Sequence, residues 1–229
     1  MKQFLFQVFI LSLFIFFMAW YNSKDITHIE AFENKNCNII LLGDSVLKNN
    51  SYVSRGKAVD DLLITKTKCK VLSLAKNNST IVNVYTQITS VPDKLNTQNT
   101  YIFLSVGGND ILEKYVDGSK EPADNISYLK TIFVAYKKVI DALKIKMDHS
   151  NIVLLDMYYP ENLKYKQFHP LIREWNRLLY DYARDTQTRV VHISNILQSN
   201  EDFTLEIEPS EQGGEKLTDS IISAIQKNA

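Results

Sequence analysis

Two short stretches of this sequence hold the residues that could do chemistry. Gly43-Asp44-Ser45 follows directly on the apolar run Asn38–Leu42, and Gly107-Gly108-Asn109-Asp110 follows directly on Tyr101–Val106. A hydroxyl and a carboxamide are thereby each placed at the carboxyl end of a predicted strand. The chemistry that needs this pair is nucleophilic acyl transfer. The hydroxyl attacks an acyl carbon, while the Asn109 NH₂ and main-chain N–H groups near Ser45 hold the developing oxyanion. Gly107 and Gly108 permit close approach of the main chain. Taken singly, G-D-S also reads as a turn with a helix cap, and Asn-Asp as a turn that bonds its own backbone. Their equivalent positions at the ends of two strands favour a shared cleft.

Together these residues resemble the SGNH hydrolase superfamily of GDSL-type esterases and lipases. The match lies in the family's first block, here Gly43-Asp44-Ser45-Val46, and its third, here Gly107-Gly108-Asn109-Asp110. The resemblance covers Cys37 to Ala229 and implies a flavodoxin-like α/β/α sandwich without a cofactor. It implies Ser45 as nucleophile and first oxyanion donor and Asn109 as a further donor, with Asp44, Gly108 and Asp110 shaping the substrate site. The second block supplies a glycine N–H, and that position falls on Asn78, a residue type that tolerates left-handed backbone.

The family's last block, D-x-x-H-P, is where this chain departs. The frame Leu205-Glu206-Ile207-Glu208-Pro209 puts leucine at the aspartate and glutamate at the histidine. Glu208 is then the first candidate for general base. An unperturbed Glu has a pKa of about 4.3 against about 6.5 for His, so burial must raise it, and Leu205 is expected to make its surroundings more apolar. The four histidines are His28, His149, His169 and His192. Of these His169, in the loop after the fourth strand, is the alternative base. The implied activity is hydrolysis of a small acyl or O-acetyl ester on a glycan or lipid. The alternative is an inactive domain that binds an acylated or glycan ligand. No inserted lid is visible, which speaks against a long-chain lipase.

The elements that must position these residues are an alternating series. β-rich apolar runs occur at Asn38–Leu42, Lys70–Leu74, Tyr101–Val106, Ile152–Met157 and Arg189–Ile193. Helical three-and-four spacing marks Ile126–Met147, Leu171–Ala183 and Lys216–Ile225. Near-continuous apolar strands separated by helices predict a five-stranded parallel sheet covered on both faces, a three-layer α/β/α sandwich, with ligands beyond the carboxyl ends of the strands.

Composition sets the bounds. The chain has 229 residues, with 26 basic against 26 acidic side chains, so its formal charge is zero and it is no general nucleic-acid binder. At 45% hydrophobic residues it is too apolar for disorder. No metal-ligand spacing, phosphate loop or dinucleotide fingerprint is present. Cys37 and Cys69 read first as structural thiols, with a single disulfide as the alternative. Phe4–Trp20 is uncharged and just long enough to span a bilayer, which favours an uncleaved signal anchor over a cleaved signal peptide. Lys2 before the span orients the domain to the luminal or external side. The expected organisation is therefore an anchor over 1–21, a tether over 22–36 and one domain over 37–229. Asn49, Asn77, Asn78 and Asn125 each begin an N-x-Ser/Thr triplet compatible with that side.

Overall fold

The computed structural model describes residues 37–113 and 126–226. The expected anchor, the tether and the triplet at Asn125 lie outside them. Among the described residues no helix is long and apolar enough to cross a membrane.

The chain alternates as expected. Strands β1 (Asn38–Gly43), β2 (Lys70–Ser73), β3 (Thr100–Ser105), β4 (Asn151–Leu155) and β5 (Arg189–Val191) form one parallel sheet in the order β2-β1-β3-β4-β5. β1 and β3 are buried along nearly their whole length, which is why they read as unbroken apolar runs rather than as alternating ones. Alternation survives in where each side chain goes. Ile40, Leu42, Ile102, Leu104 and Leu154 face one core, and Ile39, Leu41, Phe103, Val153 and Leu155 face the other.

Helices α1 (Val59–Lys66), α2 (Ile81–Thr89), α3 (Gly108–Glu113), α4 (Ile126–Lys146), α5 (His169–Thr186) and α6 (Glu211–Gln226) complete the layers. α2, α4 and α5 cover the first face, and α1 and α6 the second. α4 buries Leu129, Ile132, Phe133, Tyr136, Val139, Ile140 and Leu143 on one side. Each such side chain contributes roughly 1.5–3 kcal/mol by leaving water. Trp175 of α5 closes that core, with its ring edge-on to Phe133 at 5.2 Å and tilted against Tyr136 at 5.1 Å.

Two expectations are corrected, and one element is added. Cys37 and Cys69 are not free thiols but are joined in a disulfide that ties the start of β1 to the residue before β2. Asn49 is fully buried, accepting from the Val59 N–H and donating to the Pro209 carbonyl, so its triplet is closed to a glycan in the folded chain. The stretch before α6 contains an additional antiparallel hairpin, β6 (Phe203–Thr204) with β7 (Glu208–Pro209).

Candidate active site

β1 and β3 run side by side in register, Gly43 opposite Ser105, so their carboxyl ends open at the same level. The turn carrying Ser45 is dictated by that closeness. Gly43 has φ +121°, and a Cβ there would stand 1.7 Å from the Ser105 carbonyl oxygen. Beyond it two tight turns follow, Leu47 N–H to Asp44 O at 3.2 Å and Lys48 N–H to Ser45 O at 3.2 Å. Gln87 of α2 grips the turn by both amide atoms, accepting from Gly43 N–H at 2.6 Å and donating to Gly43 O at 2.9 Å. A second side-chain amide makes the same two-point grip on the other side of the site, where Asn176 of α5 accepts from the Met157 N–H at 2.8 Å and donates to its carbonyl at 2.7 Å.

A single hollow at these strand ends is lined by Asp44, Ser45, Gly108, Asn109 and Glu208. Glu208 reaches it because its hairpin is tied on both sides. The Tyr158 hydroxyl donates to the Ile207 carbonyl at 2.5 Å, and Asn49 Nδ2 donates to the Pro209 carbonyl at 3.2 Å. Buried Asp202 secures the hairpin base: its carbonyl accepts from Ser210 N–H at 2.9 Å, and its carboxylate pairs with Lys216 at 2.7 Å. Burial raises the Glu208 pKa above the ordinary glutamate value, and the Ser45 hydroxyl beside it offsets part of that. Glu208 Oε2 is buried without a hydrogen-bond partner among the described residues.

Asp44 stands next to this pair. Its Oδ1 accepts from Val46 N–H at 3.2 Å and from Ser105 Oγ at 3.3 Å. Burial, reinforced by the nearby Glu208 charge, raises its pKa to about 7 against these hydrogen bonds. Asn109 opens α3 and faces the hollow, its Nδ2 donating to the Ser79 carbonyl at 2.9 Å. Asn78, just before Ser79, has left-handed backbone, φ 58°, but is not among the residues that line the hollow.

Several expected roles move elsewhere. Asp110 does not line the hollow. Its carboxylate accepts from Ile81 N–H at 3.0 Å and so caps the start of α2. Gly108 has open space where a Cβ would lie, so it is Gly107, at φ +117°, that needs to be glycine: its Cβ would meet the Trp175 ring at 2.6 Å. Leu205 is 66% exposed at the hairpin tip and makes nothing apolar around Glu208; Ile207 and Tyr158 line the hollow there instead. His169 is not among the lining residues. It begins α5, and its Nε2–H donates to the Pro160 carbonyl at 2.8 Å, a bond that turns the ring to the backbone.

His192, expected inside the fifth strand, follows β5 and sets Nδ1 3.4 Å from Asp156 Oδ2. It too lies outside the lining. Among the described residues, no histidine lines the hollow. Gln87 and Asn176 were invisible as positioning residues, although each is a buried amide on the apolar face of a helix. A polar side chain at a core position is the signal that marks them.

No protein-family model matches this chain, and no curated protein matches it. Solved structures do. A lipolytic protein of the G-D-S-L family from Veillonella parvula is 16% identical, covers 82% of this chain and 97% of its own, and gives a TM-score of 0.64. An acetylxylan esterase, Axe2 from Geobacillus stearothermophilus, is 13% identical over 85% of this chain and 96% of its own, with a TM-score of 0.62. Phospholipase A1 from Streptomyces albidoflavus is 13% identical over 83% of this chain and 99% of its own, with a TM-score of 0.61. The fold of this chain is the one these three structures share.

Proposed function

We propose that this chain, built on the fold of the G-D-S-L lipolytic proteins, is an SGNH-type serine hydrolase of carboxylic esters in which Glu208 replaces the imidazole. One observation carries the reading: Ser45, Glu208 and Asn109 line the same hollow at the strand ends. In the first step Ser45 Oγ bonds to the acyl carbon as its proton passes to Glu208. The carbonyl π pair moves onto oxygen, where the Asn109 amide and the Ser45 main-chain N–H hold it. Collapse expels the alkoxide, which takes the proton from Glu208, and water repeats the sequence on the acyl-serine. A raised Glu208 pKa suits both halves, since the group must accept and then return the proton near neutrality.

A second reading, a cleft that binds the ester without turning it over, is favoured by the lack of a histidine among the lining residues. One assay separates the two. The full chain should hydrolyse p-nitrophenyl acetate and be labelled at Ser45 by a fluorophosphonate, and Ser45→Ala should lose both. Equal rates for the two proteins would leave only binding. We also propose that the domain is held on the luminal or external side of a membrane by residues 1–21. The apolar run Phe4–Trp20 supports this, as does a disulfide of the kind that persists in oxidising compartments.

A further inference from the structure

Asp44, 4% exposed, lines the hollow beside Ser45 and has no part in the reaction above. Its two oxygens are treated differently. Oδ1 accepts from the Val46 N–H at 3.2 Å and from Ser105 Oγ at 3.3 Å. Oδ2 has no hydrogen-bond partner among the described residues, and the little surface the side chain keeps opens into the hollow. A carboxylate would leave a buried, charged oxygen there without a donor, which is costly. A carboxylic acid fits: its carbonyl oxygen takes the two donors, and its O–H is turned to whatever occupies the hollow.

The groups around Asp44 point the same way. Glu208 of β7 and Asp110 of α3 act on it with negative charge, and Tyr136 of α4 and Tyr158 after β4 are held neutral by their own burial. Among the described residues no lysine, arginine or histidine lines the hollow. Burial and the negative neighbours thus raise the Asp44 pKa to about 7, and because the Glu208 charge is one of the causes, Glu208 ionises first. A third donor is also what the site lacks. With Asn78 outside the lining, an oxyanion is left with the Ser45 N–H and the Asn109 amide, one of whose two hydrogens already goes to the Ser79 carbonyl at 2.9 Å. A buried carboxylic acid that keeps its proton is a strong donor to a developing oxyanion.

We propose that Asp44 works as a neutral carboxylic acid whose Oδ2–H donates a hydrogen bond to the acyl oxygen, beside the Ser45 N–H and the Asn109 amide. The proton stays on Asp44 throughout, and the site is switched off when that proton is lost. This deepens the hydrolase reading and rests on it for turnover, but not for ligand binding. With the full chain, kcat/KM for p-nitrophenyl acetate should fall about ten-fold per pH unit once the pH passes about 7. Asp44→Asn keeps an acceptor for Val46 and Ser105 and puts an N–H that cannot ionise where the O–H was. At about pH 5.5 it should stay within about ten-fold of the unmodified chain, and up to about pH 9 it should show no fall. A profile of the unmodified chain without that fall, the same fall in Asp44→Asn, or a greater loss in folded Asp44→Asn protein overturns the proposal. Should no ester be turned over, the hydrolase reading fails by itself, and calorimetric binding of phenyl acetate to Ser45→Ala protein decides. Affinity about five-fold lower at about pH 8.5 than at about pH 5.5, with no such difference once Asp44→Asn is added, upholds the proposal. Any other binding result overturns it.

Discussion

At the scale of single residues, Glu208 is asked to do what an imidazole ordinarily does. Only its ionised form can take the Ser45 proton, and burial raises the pH at which that form appears. The rate of ester hydrolysis should therefore fall as pH drops through a point above the usual glutamate range. Glu208→Gln should lower kcat/KM on the order of 10⁴ and erase that acid limb, measured as a pH profile of kcat/KM. Asp44 gives a separate test on stability. Its folded pKa is raised to about 7, so the folded chain holds the proton more tightly than the unfolded one does. The stabilisation this gives is complete below the unfolded value of about 4 and is lost as pH rises through 7, a change of up to about 4 kcal/mol. Asp44→Asn lacks that loss, so its urea midpoint should gain on that of the unmodified chain between pH 4 and pH 8. Ser45 and Asn109 were legible because their motifs sit where strand periodicity ends. Asp110 and Leu205 were misread because a motif fixes spacing but not which backbone N–H group or solvent a side chain meets.

At the scale of elements, the β6–β7 hairpin holds Glu208, the proposed general base, yet left almost no trace in the sequence. Its strands are two residues each, too short for alternation to show, and contacts distant in the chain fix it: Tyr158, Asn49 and the Lys164–Glu206 ion pair at 3.0 Å. The three central sheet strands, by contrast, were readable as apolar runs because burial on both faces makes them so. The hairpin's tip is strained, with Leu205 at φ 45° and Glu206 at φ 74°, a left-handed pair without a glycine. Such backbone costs roughly 1–2 kcal/mol per residue. Leu205→Gly should therefore raise the unfolding free energy by about 0.5–1 kcal/mol, after allowing for the freer unfolded chain, as read by thermal or urea unfolding.

At the scale of the whole molecule, the sheet separates what stabilises from what reacts. The disulfide closes a loop between Cys37 and Cys69, 32 positions apart, at the amino ends of β1 and β2, while Ser45 lies past the carboxyl end of β1. Loop-closure entropy for that length is worth about 3–4 kcal/mol. The double substitution Cys37→Ala with Cys69→Ala should lose about that much in urea unfolding, while kcat/KM at a temperature where both proteins are folded should stay within about two-fold, since sites so separated rarely couple. The same placement has a bearing on topography. The chain joins the domain at the foot of β1, and the six residues of that strand carry it roughly 20 Å to the reactive rim. The mouth therefore lies at the end of the sheet remote from Cys37, where the entering chain does not crowd it.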